Sequence, residues 1–136
     1  MLLIVITPAE DVDNELDIVG ALFASGLQLL HLRKPGYSIG QYRNYISSID
    51  PSYHARIVVH DHFALFAEFG LSGIHLNSTM KADKQVWFDI SPIALSSVST
   101  SFHSWDELQG NDVPYRYIFI SPVFDSISKQ GHKAGV

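Results

Sequence analysis

Leu27-Gln28-Leu29-Leu30-His31-Leu32-Arg33-Lys34-Pro35-Gly36 is the stretch that decides the fold. An apolar run between Gly26 and Pro35-Gly36 reads as a buried strand, and it ends in a histidine, an arginine and a lysine. The pattern recurs along the chain. Ile57-Val58-Val59 runs into His60-Asp61-His62, and Gly73-Ile74 runs into His75-Leu76-Asn77. Val98 leads to Ser99-Thr100-Ser101-Phe102-His103. Residues 117–120 run into Ser121-Pro122 and then Ser126-Ile127-Ser128-Lys129. In a parallel α/β sheet the C-terminal ends of all strands share one rim, and ligands bind there. The repetition places most of the seven histidines around one pocket.

The segments between these strands carry helical signals. Residues 2–7 make the first strand. In 11–25, Leu16, Val19, Leu22 and Phe23 fall at helical spacing, and Gly26 suits the C-terminal cap. Ser38 N-caps a helix to about residue 49, with Tyr42, Tyr45 and Ile46 on one face. Strands are expected over 27–32, 55–60, 74–76, 94–101 and 115–120. A short helix over 62–69 closes at Gly70, and Ser104 caps another near 105–109. Residues 81–89 fit neither pattern well. Phe63, Phe66 and Phe69 read as packing residues, and Glu10, Asp11, Asp13, Glu15 and Asp17 as a solvated, N-terminus-favouring helix start. Alternating strands and helices predict a parallel sheet covered by helices. No Gly-x-Gly-x-x-Gly follows the first strand, which weakens a dinucleotide-binding reading. Polar residues from several successive strands favour a (β/α)8 TIM-barrel type.

A chain of 136 residues is expected to form one domain, 1–136. A full eight-unit barrel takes at least about 200 residues. The expectation is therefore an incomplete barrel of about six βα units, lacking the last two strands. The open sheet edges this leaves would invite pairing, so a homo-oligomer is one expected state. The 46% hydrophobic content is that of a globular protein, and a net charge of −5 without a basic run argues against nucleic acid as partner. With no cysteine, disulfide and thiolate chemistry are excluded. The N-terminus lacks a basic region ahead of its short apolar run, so neither a leader nor a membrane span is expected, and the default location is cytoplasmic.

At the rim residues the chain resembles the thiamine phosphate synthase / thiazole tautomerase family, (β/α)8 barrels of thiamine biosynthesis. The resemblance runs from about Leu3 to Lys129. Where the family has Gln-x-Arg-Glu-Lys, this chain has His31-Leu32-Arg33-Lys34-Pro35. Asn-Asp corresponds to His60-Asp61. Gly-x-His-Leu-Gly-Gln-x-Asp corresponds to Gly73-Ile74-His75-Leu76-Asn77-Ser78-Thr79-Met80. Gly-Pro-x-Phe-x-Thr-x-Thr-Lys corresponds to Ser121-Pro122-Val123-Phe124-Asp125-Ser126-Ile127-Ser128-Lys129. Each match is weak alone; four in order are fairly specific. The resemblance implies an enzyme acting on a thiazole phosphate, and in the synthases also on an aminopyrimidine diphosphate whose Mg²⁺ two aspartates hold. Asp61 matches the first aspartate, but Met80 stands at the second. The lysine position of the second strand falls on Pro35, with Lys34 beside it as a possible substitute. These departures lean toward the tautomerase, which needs no metal and shuttles a proton on a carboxythiazole phosphate. The alternatives are the synthase, with Mg²⁺ at Asp61, and a non-catalytic ligand-binding fragment.

The resemblance makes His103, after the fifth strand, the expected general acid/base, a role imidazole suits because it titrates nearest neutral pH; read without the resemblance, it is a packed helix-start histidine. Arg33 suits a carboxylate or phosphate through its planar fork, or alternatively an ion pair across the mouth. Strand alternation puts His31 on the side of Arg33, within reach of a substrate ring. His60, Asp61 and His62 point alternately, so they do not chelate one ion; His60 and Asp61 are expected to meet substrate, and His62 to open the next helix. His75 and Asn77 share a face, as strand support or ligand contacts. Ser101 lines the fifth strand's end. Ser126, Ser128 and Lys129 form an anion cradle, or else a polar surface loop.

Overall fold

In a computed structural model of the chain, residues 2–120 are described. The cradle expected at Ser126, Ser128 and Lys129 lies outside them. Six strands alternate with helices: β1 (Ile4–Ile6), α1 (Glu15–Ala24), β2 (Leu29–Leu32), α2 (Ile39–Ser47), β3 (Ile57–Val59), α3 (Leu65–Phe69), β4 (Gly73–Leu76), α4 (Ser78–Lys81), α5 (Lys84–Asp89), β5 (Val98–Phe102), α6 (Trp105–Gln109) and β6 (Ile118–Ile120). The alternation of strands and helices is that of the incomplete (β/α)-barrel type expected from the sequence. Two compact units divide the chain, the first ending at His75 and the second starting at Leu76.

In the first unit β1, β2, β3 and β4 follow one another as parallel neighbours. Every residue of β2 is buried, as is every residue of β3. Such strands carry continuous apolar runs because both faces are covered. Leu30, Leu32, Val59 and Ile74 are fully enclosed. α1 lays Val19 and Phe23 on the sheet and ends in a two-bond C-terminal lock. The Leu27 N–H donates to the Leu22 carbonyl and the Gly26 N–H to that of Phe23. Gly26 sits at φ +103°, a backbone state that costs glycine little. α2 begins with a reciprocal cap: the Ser38 hydroxyl accepts from the Gln41 N–H, and the Gln41 carbonyl oxygen accepts from the Ser38 N–H.

The expected elements are present, with shifted edges. A 3₁₀ segment, Pro51–Arg56, replaces the start of the third expected strand, fixed by Asp50 accepting from the Ser52 N–H. His62 precedes α3 rather than starting it and holds a left-handed φ of 52°. Its Nε2 pairs with the Tyr37 carbonyl at 2.9 Å, and its ring meets Tyr42 edge-on.

The second unit pairs β5 with β6 in parallel. The awkward 81–89 stretch lies across two short helices, α4 and α5, because each has its own cap. Asn77 Oδ1 accepts from the Met80 N–H, and Asp83 Oδ1 from the Gln85 N–H. Ser104 caps α6 through the Glu107 N–H, as the sequence predicts. No helix among the described residues is long and apolar enough to cross a membrane.

Candidate active site

Three histidines meet at the C-terminal ends of three adjacent strands. His31 lies in β2, His60 follows β3 directly, and His75 lies in β4. The β3–β4 register pairs Val58 with Gly73 and Val59 with Ile74, so the next step sets His60 beside His75. Their rings stack at 4.4 Å with an 18° tilt. His31 meets both rings edge-on, and its Nδ1 lies 2.7 Å from His60 Nε2, a hydrogen bond in which one nitrogen donates and the other accepts. His31 and His75 are buried, and His60 is half-buried.

Positive charge is disfavoured on His60. Burial first, then His75, His31 and Arg33, push the His60 pKa from 6.5 down to about 2. The sign follows directly. Between those two values the unfolded chain binds a proton that folded His60 refuses, so acid destabilises the fold. In metal-free buffer, the unfolding free energy from urea titrations is expected to fall by about 1 kcal/mol more from pH 7.5 to 5.5 in the native chain than in His60→Asn. Equal falls in the two chains would refute the assignment.

Around the cluster the sheet positions an exposed arginine. The buried Thr7 hydroxyl accepts from the Arg33 N–H at 2.9 Å and lies 3.0 Å from the Arg33 carbonyl, and the Thr7 N–H donates to the His31 carbonyl. Thr7 thus ties the end of β1 to the end of β2, a role the sequence reading missed. Arg33 itself is exposed while His31 is buried, so the two part company although they are two residues apart. Asp61 is exposed as well, its Oδ1 accepting from the His62 N–H at 2.8 Å. His60 meets His31 and His75, Asp61 pairs with His62, and His62 Nε2 also meets the Tyr37 carbonyl.

Lys34 does not stand in for the missing motif lysine. Its side chain is fully buried, and its ammonium donates to Glu15 Oε1 at 2.8 Å and to the Glu10 carbonyl at 2.9 Å. Glu15 correspondingly departs from the solvated helix start expected of it. Its second oxygen accepts from the Tyr45 hydroxyl.

In the second unit, Asn77 spends its Oδ1 on the α4 cap. Ser101 offers its carbonyl to Lys81 Nζ at 2.6 Å, and that ammonium lies 3.8 Å from the centre of the Phe102 ring. Lys81, which the sequence reading did not single out, is held with its pKa lowered, chiefly by burial. His103 is exposed at the turn into α6, its N–H donating to Glu107 Oε1 at 2.8 Å.

The Mg²⁺ implied by the resemblance needs hard oxygen ligands. Of the two expected carboxylates only Asp61 is present. Met80 offers a thioether, and Asn77, in the same stretch, already commits its oxygen to a cap. A two-carboxylate Mg²⁺ site does not fit the described residues.

Parallel strands in chain order, with imidazoles, a guanidinium and a carboxylate gathered at their C-terminal ends, define a barrel-type α/β chain with an enzyme-like rim. The sequence matches the thiamine monophosphate synthase family model over residues 2–135, and the chain belongs to that family. Among solved structures it is similar to the thiamine phosphate pyrophosphorylase of Bacteroides thetaiotaomicron, with 38% identity and a TM-score of 0.74. That match covers 91% of this chain, which spans 59% of the length of the other. A comparison with curated proteins gave no match.

Proposed function

We propose that the chain performs the substrate recognition, and with it the coupling chemistry, of a thiamine phosphate synthase, joining an aminopyrimidine diphosphate to a thiazole phosphate. The supporting observation is the first-unit rim, where a trio of imidazoles, two buried and one half-buried, lies near an exposed Arg33. His60, kept uncharged by its burial and neighbours, offers hydrogen bonds without charge, which suits a neutral heteroaromatic ring. Arg33 suits the diphosphate, because its fork binds two oxygens and offsets the charge that grows as diphosphate departs. The thiazole nitrogen would then form the new C–N bond as the pyrimidine methylene loses diphosphate.

The likeness to a pyrophosphorylase favours this transferase over the tautomerase toward which the sequence leaned. His103, in the tautomerase reading the proton shuttle, has no part in the coupling. Both substrates are small, soluble metabolites, consistent with a cytoplasmic site of action.

Incubating the chain with both substrates and separating thiamine phosphate by chromatography tests the coupling. Arg33→Ala is expected to weaken binding of the pyrimidine diphosphate about 10- to 100-fold, the loss of one or two charge-assisted hydrogen bonds. Product from the thiazole carboxylate isomer alone, abolished in His103→Ala, would restore the tautomerase instead.

A further inference from the structure

The coupling proposed above uses the hydrogen bonding of the rim imidazoles, and their mutual contact offers a second chemistry. His31, His60 and His75 each present a ring nitrogen, and these nitrogens all lie within 4.8 Å of one another. Neutral imidazole nitrogens brought this close form a ligand set that a metal ion binds through their lone pairs.

We propose that His31, His60 and His75 form a binding site for a borderline transition-metal ion of the zinc class, with a fourth position open to water or a substrate donor. The ligand chemistry selects the ion. Imidazole nitrogen suits zinc, cobalt, nickel and copper, whereas Mg²⁺ and Ca²⁺ require oxygen. Three histidines with an open fourth place is the pattern of a working zinc centre rather than a closed structural one.

The distances are near those required. Zn–N bonds of about 2.0–2.1 Å set tetrahedral ligand nitrogens roughly 3.3–3.4 Å apart. Here the closest pair, at 2.7 Å, has to open, and the widest separation, 4.8 Å, has to close. Both are changes that rotation of the imidazoles about their side-chain bonds supplies, while the strands stay in place. The histidines stand on or just after strands whose apolar residues Leu30, Leu32, Val59 and Ile74 are fully buried. His60, the most exposed of the three, gives the ion a way in.

This inference does not rest on the proposed reaction, and its test uses metal alone. Co²⁺ is titrated into the purified full chain and followed by visible absorption, with Zn²⁺ competing. One equivalent of Co²⁺ is expected to give the intense bands of a tetrahedral site and to be displaced by one equivalent of Zn²⁺, while millimolar Mg²⁺ leaves the bands unchanged. His31→Gln, His60→Asn and His75→Gln should each weaken the metal at least 10-fold, and His103→Ala should not. Imidazole nitrogen NMR of the unsubstituted chain guards against variants that fail to fold. Zn²⁺ should move the resonances of His31, His60 and His75 and leave those of His54 and His103 in place. Absence of one-to-one binding, or metal-induced shifts confined to other histidines, would overturn the site.

Discussion

Lys34→Met is expected to lower the unfolding free energy by about 3–5 kcal/mol, which corresponds to a melting temperature lower by roughly 10–20 °C. The reason is the partner left behind. Lys34 has no exposed side-chain surface and Glu15 only 11%, and they meet at 2.8 Å. Methionine fills the same volume but strands a nearly buried carboxylate beside Tyr45. Breaking a buried pair on one side costs far more than the pair contributes when whole. The double variant Lys34→Met/Glu15→Leu should therefore recover most of the loss. A single-variant loss below 1 kcal/mol, measured by urea titration, would mean that water reaches Glu15 freely and that this pair does not anchor α1.

Phe23→Ala is expected to cost about 3–5 kcal/mol for a different reason. The Phe23 ring is 2% exposed and stacks on Tyr53 at 4.8 Å, with 7° between the planes. Truncation removes buried apolar surface and leaves a cavity between α1 and the 3₁₀ segment before β3, which cannot collapse without moving the sheet. Phe23→Leu should cost less than half as much. Equal losses for the two variants would show that the stack, rather than the filled volume, carries the stability.

These two residues mark where sequence reading succeeds and where it stops. Phe23 was legible because helical periodicity points it at the sheet and Gly26 marks the helix end. Lys34 was not. In the sequence it follows a run of rim residues and reads as one more polar group at the strand end. Only the tertiary approach of α1 turns it inward to Glu15, and no local pattern encodes that approach. The same logic separates the caps from the boundaries. Ser38 and Ser104 act locally, within one turn, and were readable. The third expected strand, 55–60, starts two residues early because the end of the 3₁₀ segment leaves no hydrophobic period to count.

The rim is a similar mixture. That His31, His60 and His75 lie at strand ends followed from their recurrence after apolar runs, whereas His54 and His62 turn to backbone carbonyls. That His31, His60 and His75 touch one another, while Arg33 and Asp61 face solvent, depends on strand register and on where each strand ends. Register is set by pairing partners far apart in the chain, so it is not written in any single strand. The rim could be recognised because the motif residues stand at or just after strand ends, within short runs of sequence.

The central claim is that this rim holds an aminopyrimidine diphosphate, and calorimetric titration of that compound into the full chain, in chelator-treated buffer, tests it most directly. The account predicts saturable one-to-one binding that weakens about 10- to 100-fold in Arg33→Ala. No heat of binding up to millimolar ligand, or equal affinity in the native chain and Arg33→Ala, would contradict it.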